Sequence, residues 1–328
     1  MRFNEMIQTV DTHTGGEPTR IILSGIPVLK GNSVLEKRDY FKEKYDYIRK
    51  RLTYEPRGHA GMLCAAVVPP CDKRADFGIF YFDDVQYLDM CGHATIGVGT
   101  ALAEIGMVPK EHMNSYIIET PAGLVTIKNN YIDGYVKSTS IQNVNSYVID
   151  NEVFIDVEDV KNLKVEVAYG GNYFAIVPAD TFNVKIIPES VNLIKHLSTK
   201  IIEACNEKLK DKKVKINLVQ WYHDPFIKGA NLRCVHSSGK GSPDRSPGGT
   251  GTSAKLAVLY LQGKLKINEP FVQESIIGGK FIGKILDIIQ EGNITYIVPE
   301  ITGEAKITGF HKFVFDETDE LRDGFFFE

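Results

Sequence analysis

Cys91 stands in Met90-Cys91-Gly92-His93, immediately before a run that reads as an apolar helix over 94–104. A thiol at a helix N-terminus meets unpaired backbone N–H groups and the positive end of the helix dipole, which favour the thiolate. Such a group serves as a base or a nucleophile. His93 lies two residues on; it either pairs with Cys91, caps the helix or contacts a substrate, and substrate contact is the favoured reading. Asp244, in Asp244-Arg-Ser-Pro247, precedes a second turn of the same kind, Pro247-Gly248-Gly249-Thr250. It reads equally as a turn aspartate and as a carboxylate aimed at an amine. Cys64, Cys71, Cys205 and Cys234 read as small buried apolar residues.

Other chemistry finds less support. Gly97-Val-Gly99 lacks the third glycine of a dinucleotide fingerprint and falls inside a helix, and no Gly-Lys is followed by Ser or Thr as a phosphate loop requires. Asp11, His13 and Glu17 cluster near the N-terminus without helix-spaced histidines, so no metal site is expected. His59 follows Glu55-Pro-Arg-Gly58 and reads as a structural turn residue.

The elements that must position these residues are mostly strands. Short β-branched runs at 19–23, 117–119, 124–127, 174–177 and 294–298 are bounded in most cases by Gly, Pro or Asn. Helices are predicted at 37–51, where Lys and Arg suggest a mostly solvent-facing surface, and at 94–104, 190–209 and 253–261. A repeat links the two turns. At a shift of 157, the distance from position 91 to position 248, Gly92 meets Gly249, Thr95 meets Thr252 and Gly106 meets Gly263. In both copies a tight turn opens an apolar helix, and a glycine closes it where left-handed backbone is wanted. Downstream, Glu119-Thr-x-x-Gly123 answers Glu274-Ser-x-x-Gly278 at a shift of 155. Two copies of one βα unit predict two similar lobes whose helix N-termini hold a small anion from both sides of a cleft.

Composition bounds the rest. With 38 Lys and Arg against 42 Asp and Glu the net charge is −4, and 43% apolar with 24% charged residues is ordinary for a globular chain. No basic block invites nucleic acid, and no apolar run of about 18 residues invites a membrane. Five scattered cysteines without a CxxC pair and a start lacking an apolar signal core point to the cytoplasm. A small-molecule substrate is the expected partner; a homodimer is compatible with the sequence but not fixed by it.

The chain resembles the proline racemase superfamily of proline racemases, 4-hydroxyproline epimerases and trans-3-hydroxy-L-proline dehydratases. The resemblance runs nearly end to end, through Asp11-Thr-His-Thr-Gly-Gly-Glu-Pro-Thr-Arg20, Glu55-Pro-Arg-Gly-His59, Met90-Cys-Gly-His93, Ala168-Tyr-Gly-Gly-Asn172, Asp244-Arg-Ser-Pro247, Gly249-Thr-Gly-Thr252, Glu274-Ser-Ile-Ile-Gly278 and Asp323-Gly-Phe325. It implies the diaminopimelate-epimerase-like fold of class α/β, with two pseudo-symmetric lobes, each a curled mixed sheet around a central helix. The first lobe is expected over 1–145, rejoined by a C-terminal strand at 301–328, and the second over 146–300. The resemblance further implies cofactor-independent removal of a Cα proton. By its pattern Cys91 is a catalytic thiol, the amides of Gly92, His93, Gly249 and Thr250 hold the carboxylate, and His93 and Asp244 contact the ring nitrogen.

One position departs from that pattern. Racemases and epimerases of the family carry a second cysteine after Ser-Pro, and the dehydratases usually carry threonine; this chain has Gly248. Glycine neither removes nor returns a proton. Dehydration of trans-3-hydroxy-L-proline needs one base, because its hydroxyl and Cα hydrogen share a ring face, and Gly248 is expected to leave room for water or a ring substituent. The reading is therefore a dehydratase first, a racemase or epimerase with a substitute second base next, and a non-catalytic binder of proline-like amino acids last. Gly61 is a second departure, standing where an acidic residue is frequent in the family.

Overall fold

In chain order the elements of the first part are β1 (Phe3–Thr14), β2 (Glu17–Ser24), α1 (Val34–Thr53), β3 (Leu63–Val68), β4 (Phe77–Phe82), β5 (Tyr87–Leu88), α2 (Gly92–Glu104), β6 (Ser115–Thr120), β7 (Gly123–Ile132) and β8 (Tyr135–Gln142). There follow β9 (Ser146–Val157), β10 (Val160–Tyr169), β11 (Tyr173–Pro178), α3 (Val191–Lys208), β12 (Leu218–His223), β13 (Leu232–Ser237), α4 (Gly249–Leu261), β14 (Phe271–Ser275), β15 (Lys280–Glu291), β16 (Ile294–Gly303) and β17 (Ala305–Asp316). The structure is a computed structural model and describes residues 3–212 and 214–326. The chain divides into two units, Met1–Ile141 with Glu304–Glu328, and Gln142–Gly303, against the expected boundaries at 145 and 300.

Both units follow one pairing plan. In the first, β1 runs antiparallel to β2, β2 parallel to β3, β3 antiparallel to β4, β4 parallel to β6 and β6 antiparallel to β7. In the second, β10, β11, β12, β13, β14 and β15 repeat that sequence of directions strand for strand. The helices repeat as well, since each parallel pairing needs a long crossover: α1 and α3 fill the first, α2 and α4 the second. The second unit closes on itself, because β15 pairs β16, β16 returns to β9 and β9 pairs β10. In the first unit β17 extends the sheet beyond β1.

Burial explains why α2 and α4 read as uniformly apolar. Every residue of α2 from Gly92 to Ala103 is buried, as is every residue of α4 from Gly249 to Val258. A helix wrapped by its own sheet has no polar face to show. Close approach is needed on all sides: a Cβ on Gly97 would come within 2.7 Å of Thr12 Oγ1, and one on Gly99 within 2.8 Å of Thr139. The two glycines that resemble a nucleotide fingerprint are thus contacts between helix and sheet. Both helices end in left-handed glycine, Gly106 at φ 73° and Gly263 at φ 69°, with Met107 N–H bonded to Leu102 O and Lys264 N–H to Leu259 O at 2.9 Å each.

The helix predicted at 37–51 begins earlier, at Val34, because Ser33 caps it through its Oγ on the Glu36 amide at 3.1 Å. Nor does it mostly face solvent. Phe41, Ile48 and Leu52 are buried against Phe80 and Phe82. Arg49 and Arg51 are buried too; Arg49 meets Asp46, while Arg51 meets Glu5 and Asp323 at 2.7 Å. A guanidinium enters a core when carboxylates arrive from elsewhere in the chain to pair it. Helices α2 and α4 likewise begin at Gly92 and Gly249 rather than at 94 and 253, so the turn glycines lie inside the first helical turn.

Candidate active site

In the first unit the site is built around Cys91. This residue is the N-cap of α2, with φ −138° and ψ 109°, and its side chain makes no capping bond. The Cys91 carbonyl receives both the Thr95 amide at 2.9 Å and the Thr95 hydroxyl at 2.7 Å, and the Tyr81 hydroxyl meets Thr95 Oγ1 at 2.6 Å. A buried network therefore fixes the turn that carries the thiol. The His93 ring stands beside that thiol, with Nδ1 3.4 Å and Nε2 3.8 Å from Sγ. Two residues apart the two side chains do meet, a point that spacing alone leaves open. A ring N–H directed at sulfur stabilises the thiolate, and the helix start adds to this.

The other cysteines differ in kind. Burial pushes the thiols of Cys64 and Cys205 up to about 12 and raises that of Cys234 as well. They are buried, as expected, whereas Cys71 is only half-buried.

In the second unit Asp244 makes a turn, accepting the Ser246 amide on Oδ1 at 2.8 Å, and the Ser246 hydroxyl accepts the Gly248 amide at 3.1 Å. Gly248 is the N-cap of α4, and its carbonyl receives the Thr252 amide at 2.9 Å and hydroxyl at 2.6 Å. This is the Cys91–Thr95 arrangement repeated. Gln273 Nε2 holds the Pro247 carbonyl at 2.8 Å. The segment Tyr169-Gly-Gly-Asn172 fits against the same helical turn: a Cβ on Gly170 would lie 2.2 Å from the Thr250 carbonyl, and Asn143 Nδ2 bonds both Gly170 O at 2.8 Å and Ser253 Oγ at 3.0 Å. The sequence named that motif without giving it a role; its role here is to seat the turn that carries Gly249 and Thr250.

The room expected at Gly248 is filled. A Cβ there would come within 2.3 Å of Nδ1 and Cε1 of His236, a buried residue on β13 that the sequence reading did not single out. Alternation along β13 puts His236 on the same side of the strand as Cys234, whose Sγ reaches Pro247 O at 3.3 Å. That alternation was the available signal, and it required knowing which strand faces α4.

Other residues singled out in the sequence lie elsewhere. Asp11 accepts Arg20 Nη2 at 2.9 Å and Nε at 3.1 Å, and Arg20 also bonds the carbonyls of Leu52 at 2.7 Å and Arg57 at 2.6 Å. Asp11 therefore anchors the turn before His59, which is exposed with Nδ1 3.0 Å from Ala60 O. His13 lies on β1 beside it, and Glu17 opens β2. Gly61, at φ 82°, gives its amide to Asp84 at 3.2 Å. The repeated Glu119 and Glu274 brace loops. Glu119 accepts the amides of Val34, Cys71 and Asp72 at 2.6–2.9 Å; Glu274 accepts those of Phe226 and Ile227 and pairs with Arg233. Among the described residues no three His, Cys, Asp or Glu side chains form a metal-binding group, and no helix is long and apolar enough to cross a membrane.

Comparison with known proteins adds similarity in sequence and fold. The family model for proline racemase matches residues 9–326. The chain is 42% identical to a proline racemase of Clostridioides difficile and 38% identical to a trans-3-hydroxy-L-proline dehydratase of Bacillus cereus, in both cases across 99% of each protein. Among solved structures it is similar to a hydroxyproline epimerase from Agrobacterium vitis with bound trans-4-hydroxy-L-proline, at TM-score 0.87 and 27% identity over 100% of this chain and 97% of that one. A fold of repeated sheet-wrapped helices, a thiol at the start of one and sequence similarity along the whole length lead to one conclusion: the chain belongs to the proline racemase family of enzymes.

Proposed function

We propose that this protein inverts the Cα centre of a proline-type amino acid, as a racemase or 2-epimerase, with the Cys91 thiolate as one of its two proton-transfer groups. The observation that carries the reading is the Cys91 thiol at the N-cap of α2, outside any capping bond and 3.4 Å from the His93 ring. Cα acidity is raised when the substrate carboxylate is held by hydrogen-bond donors, because the carbanion's charge moves onto its oxygens. In this reading the amides of Gly92 and His93 at one helix start and of Gly249 and Thr250 at the other supply those donors, and His93 and Asp244 meet the ring nitrogen. Inversion is placed ahead of dehydration because the side-chain space at Gly248, expected to be left to water or a ring substituent, holds an imidazole.

A second reading is dehydration of trans-3-hydroxy-L-proline, favoured by the absence of a second thiol and by the 38% identity to a dehydratase. There Cys91 would take the Cα proton and pass it to the hydroxyl leaving from the same face. Proton NMR in D₂O with L-proline, trans-4-hydroxy-L-proline and trans-3-hydroxy-L-proline in separate tubes, with chiral chromatography of the proline tube, decides between them. Deuterium at Cα with a D-proline or cis-4-hydroxy-D-proline product is the expected result. Consumption of the 3-hydroxy compound alone, giving a pyrroline carboxylate, would replace it with the lyase; silence in all three tubes would leave a binder.

A further inference from the structure

We propose that His236 takes the place of the missing second thiol and carries the proton on the substrate face that Cys91 does not serve. The inference rests on the inversion reading above. Its first support is positional. The ψ angles of the two N-caps are 109° at Cys91 and 106° at Gly248, and ψ sets how a Cβ projects from the helix that follows. A side chain on Gly248 would therefore leave α4 as the Cys91 side chain leaves α2. That place is occupied by the Nδ1–Cε1 edge of His236, at 2.3 Å from the Cβ position, and Nε2 lies 2.0 Å from the Cβ position of Gly251. The ring can lie along this first turn only because positions 248 and 251 are both glycine.

The repeat supplies the second support. Strand β13 pairs β14 with Arg233 opposite Glu274, and β4 pairs β6 with Gly78 opposite Glu119. In that shared register His236 answers Tyr81. Tyr81 gives its hydroxyl to Thr95 beneath a helix start that has its own thiol. Thr252 bonds the Gly248 carbonyl as Thr95 bonds that of Cys91, but where Tyr81 meets Thr95, neither nitrogen of His236 has a hydrogen-bond partner among the described residues. The ring is 4% exposed and meets Phe174 edge-on at 5.5 Å. Leaving buried polar atoms unpaired costs about 1–3 kcal/mol each, a cost that an aromatic hydrocarbon of the same outline would not carry.

Burial brings the imidazole down to about 4, against the nearby carboxylate of Asp244, so the ring is a neutral base at neutral pH. The chemistry balances on one proton shared by two groups. In one direction, starting from the minor form in which the shared proton sits on His236, the Cys91 thiolate takes the Cα proton and the electron pair passes onto the bound carboxylate. The Nδ1–H bond of a protonated His236 then breaks as a new Cα–H bond forms on the other face, leaving thiol and neutral imidazole. In the other direction neutral imidazole takes the proton and the thiol returns one.

The test follows deuterium rather than turnover alone. L-proline, D-proline, trans-4-hydroxy-L-proline and cis-4-hydroxy-D-proline are incubated separately in D₂O with wild type, His236→Phe, His236→Gln and Cys91→Ala. The His236 variants should lose inversion by about 10²-fold or more, within the range of a lost general acid or base, yet still deuterate one antipode with retention. Cys91→Ala should deuterate only the opposite antipode. That residual exchange also reports that the variants are folded and bind substrate. Inversion by His236→Phe within about threefold of wild type would overturn the assignment. So would loss of exchange from both antipodes in both His236 variants, since the Cys91 half-reaction does not need a second face. A wild type that inverts none of the four substrates would instead remove the inversion reading itself, whatever the variants do.

Discussion

At the scale of residues, Cys91 and Gly248 mark the point where the two copies of the helix start differ. Both open an apolar helix and both present a carbonyl to a threonine four residues on, but one carries a thiol and the other yields its side-chain space to an imidazole. That imidazole leaves a thermodynamic trace. The folded state holds His236 at about 4, below its ordinary 6.5, so folding favours the neutral ring. The corresponding stability is present above pH 6.5 and is lost as pH falls toward 4, by about 3 kcal/mol in all. The denaturant midpoint of wild type should therefore fall further than that of His236→Phe between pH 7 and pH 4.5. Parallel loss in the two proteins would show that the ring is not held neutral by the fold. Cys91 was legible because its place before a helix has local consequences. His236 was not, because its meaning depends on β13 lying against the first turn of α4, a tertiary relation no local spacing encodes.

The elements show how such a turn is kept in place. Each sheet-wrapped helix has its first turn locked by a threonine, and each unit has a buried glutamate on the strand after that helix. Glu274 is the more exacting case, since it neutralises Arg233 in the interior while accepting two loop amides. Removing one partner of a buried ion pair strands the other. Glu274→Gln should accordingly cost about 3–5 kcal/mol in denaturant unfolding. A loss below about 1 kcal/mol would place the pair in effective contact with water. The sequence made both glutamates visible as a repeat but left them without a task, because their partners come from Val34, Cys71, Phe226 and other residues far along the chain. For a similar reason α1 reads as solvent-facing: Arg51 meets Asp323, 272 positions away.

For the whole molecule, the internal repeat is the property that reached furthest from sequence to structure. Equal helix lengths between a turn and a closing glycine were visible as Gly92 to Gly106 and Gly249 to Gly263, and they predicted two like units before any strand pairing was known. The pairing directions of β1–β7 and β10–β15 then matched step for step. Within that symmetry the two copies differ at the helix start, where the first carries the Cys91 thiol and the second carries Gly248. A role for Cys91 as a proton-transfer base is open to a direct measurement. Cα deuteration and inversion of L-proline and trans-4-hydroxy-L-proline are measured for wild type and Cys91→Ala, alongside their binding by calorimetry. A fall in inversion of about 10²–10⁴-fold with affinity kept within a few-fold is the predicted result; inversion by Cys91→Ala at the wild-type rate would contradict it.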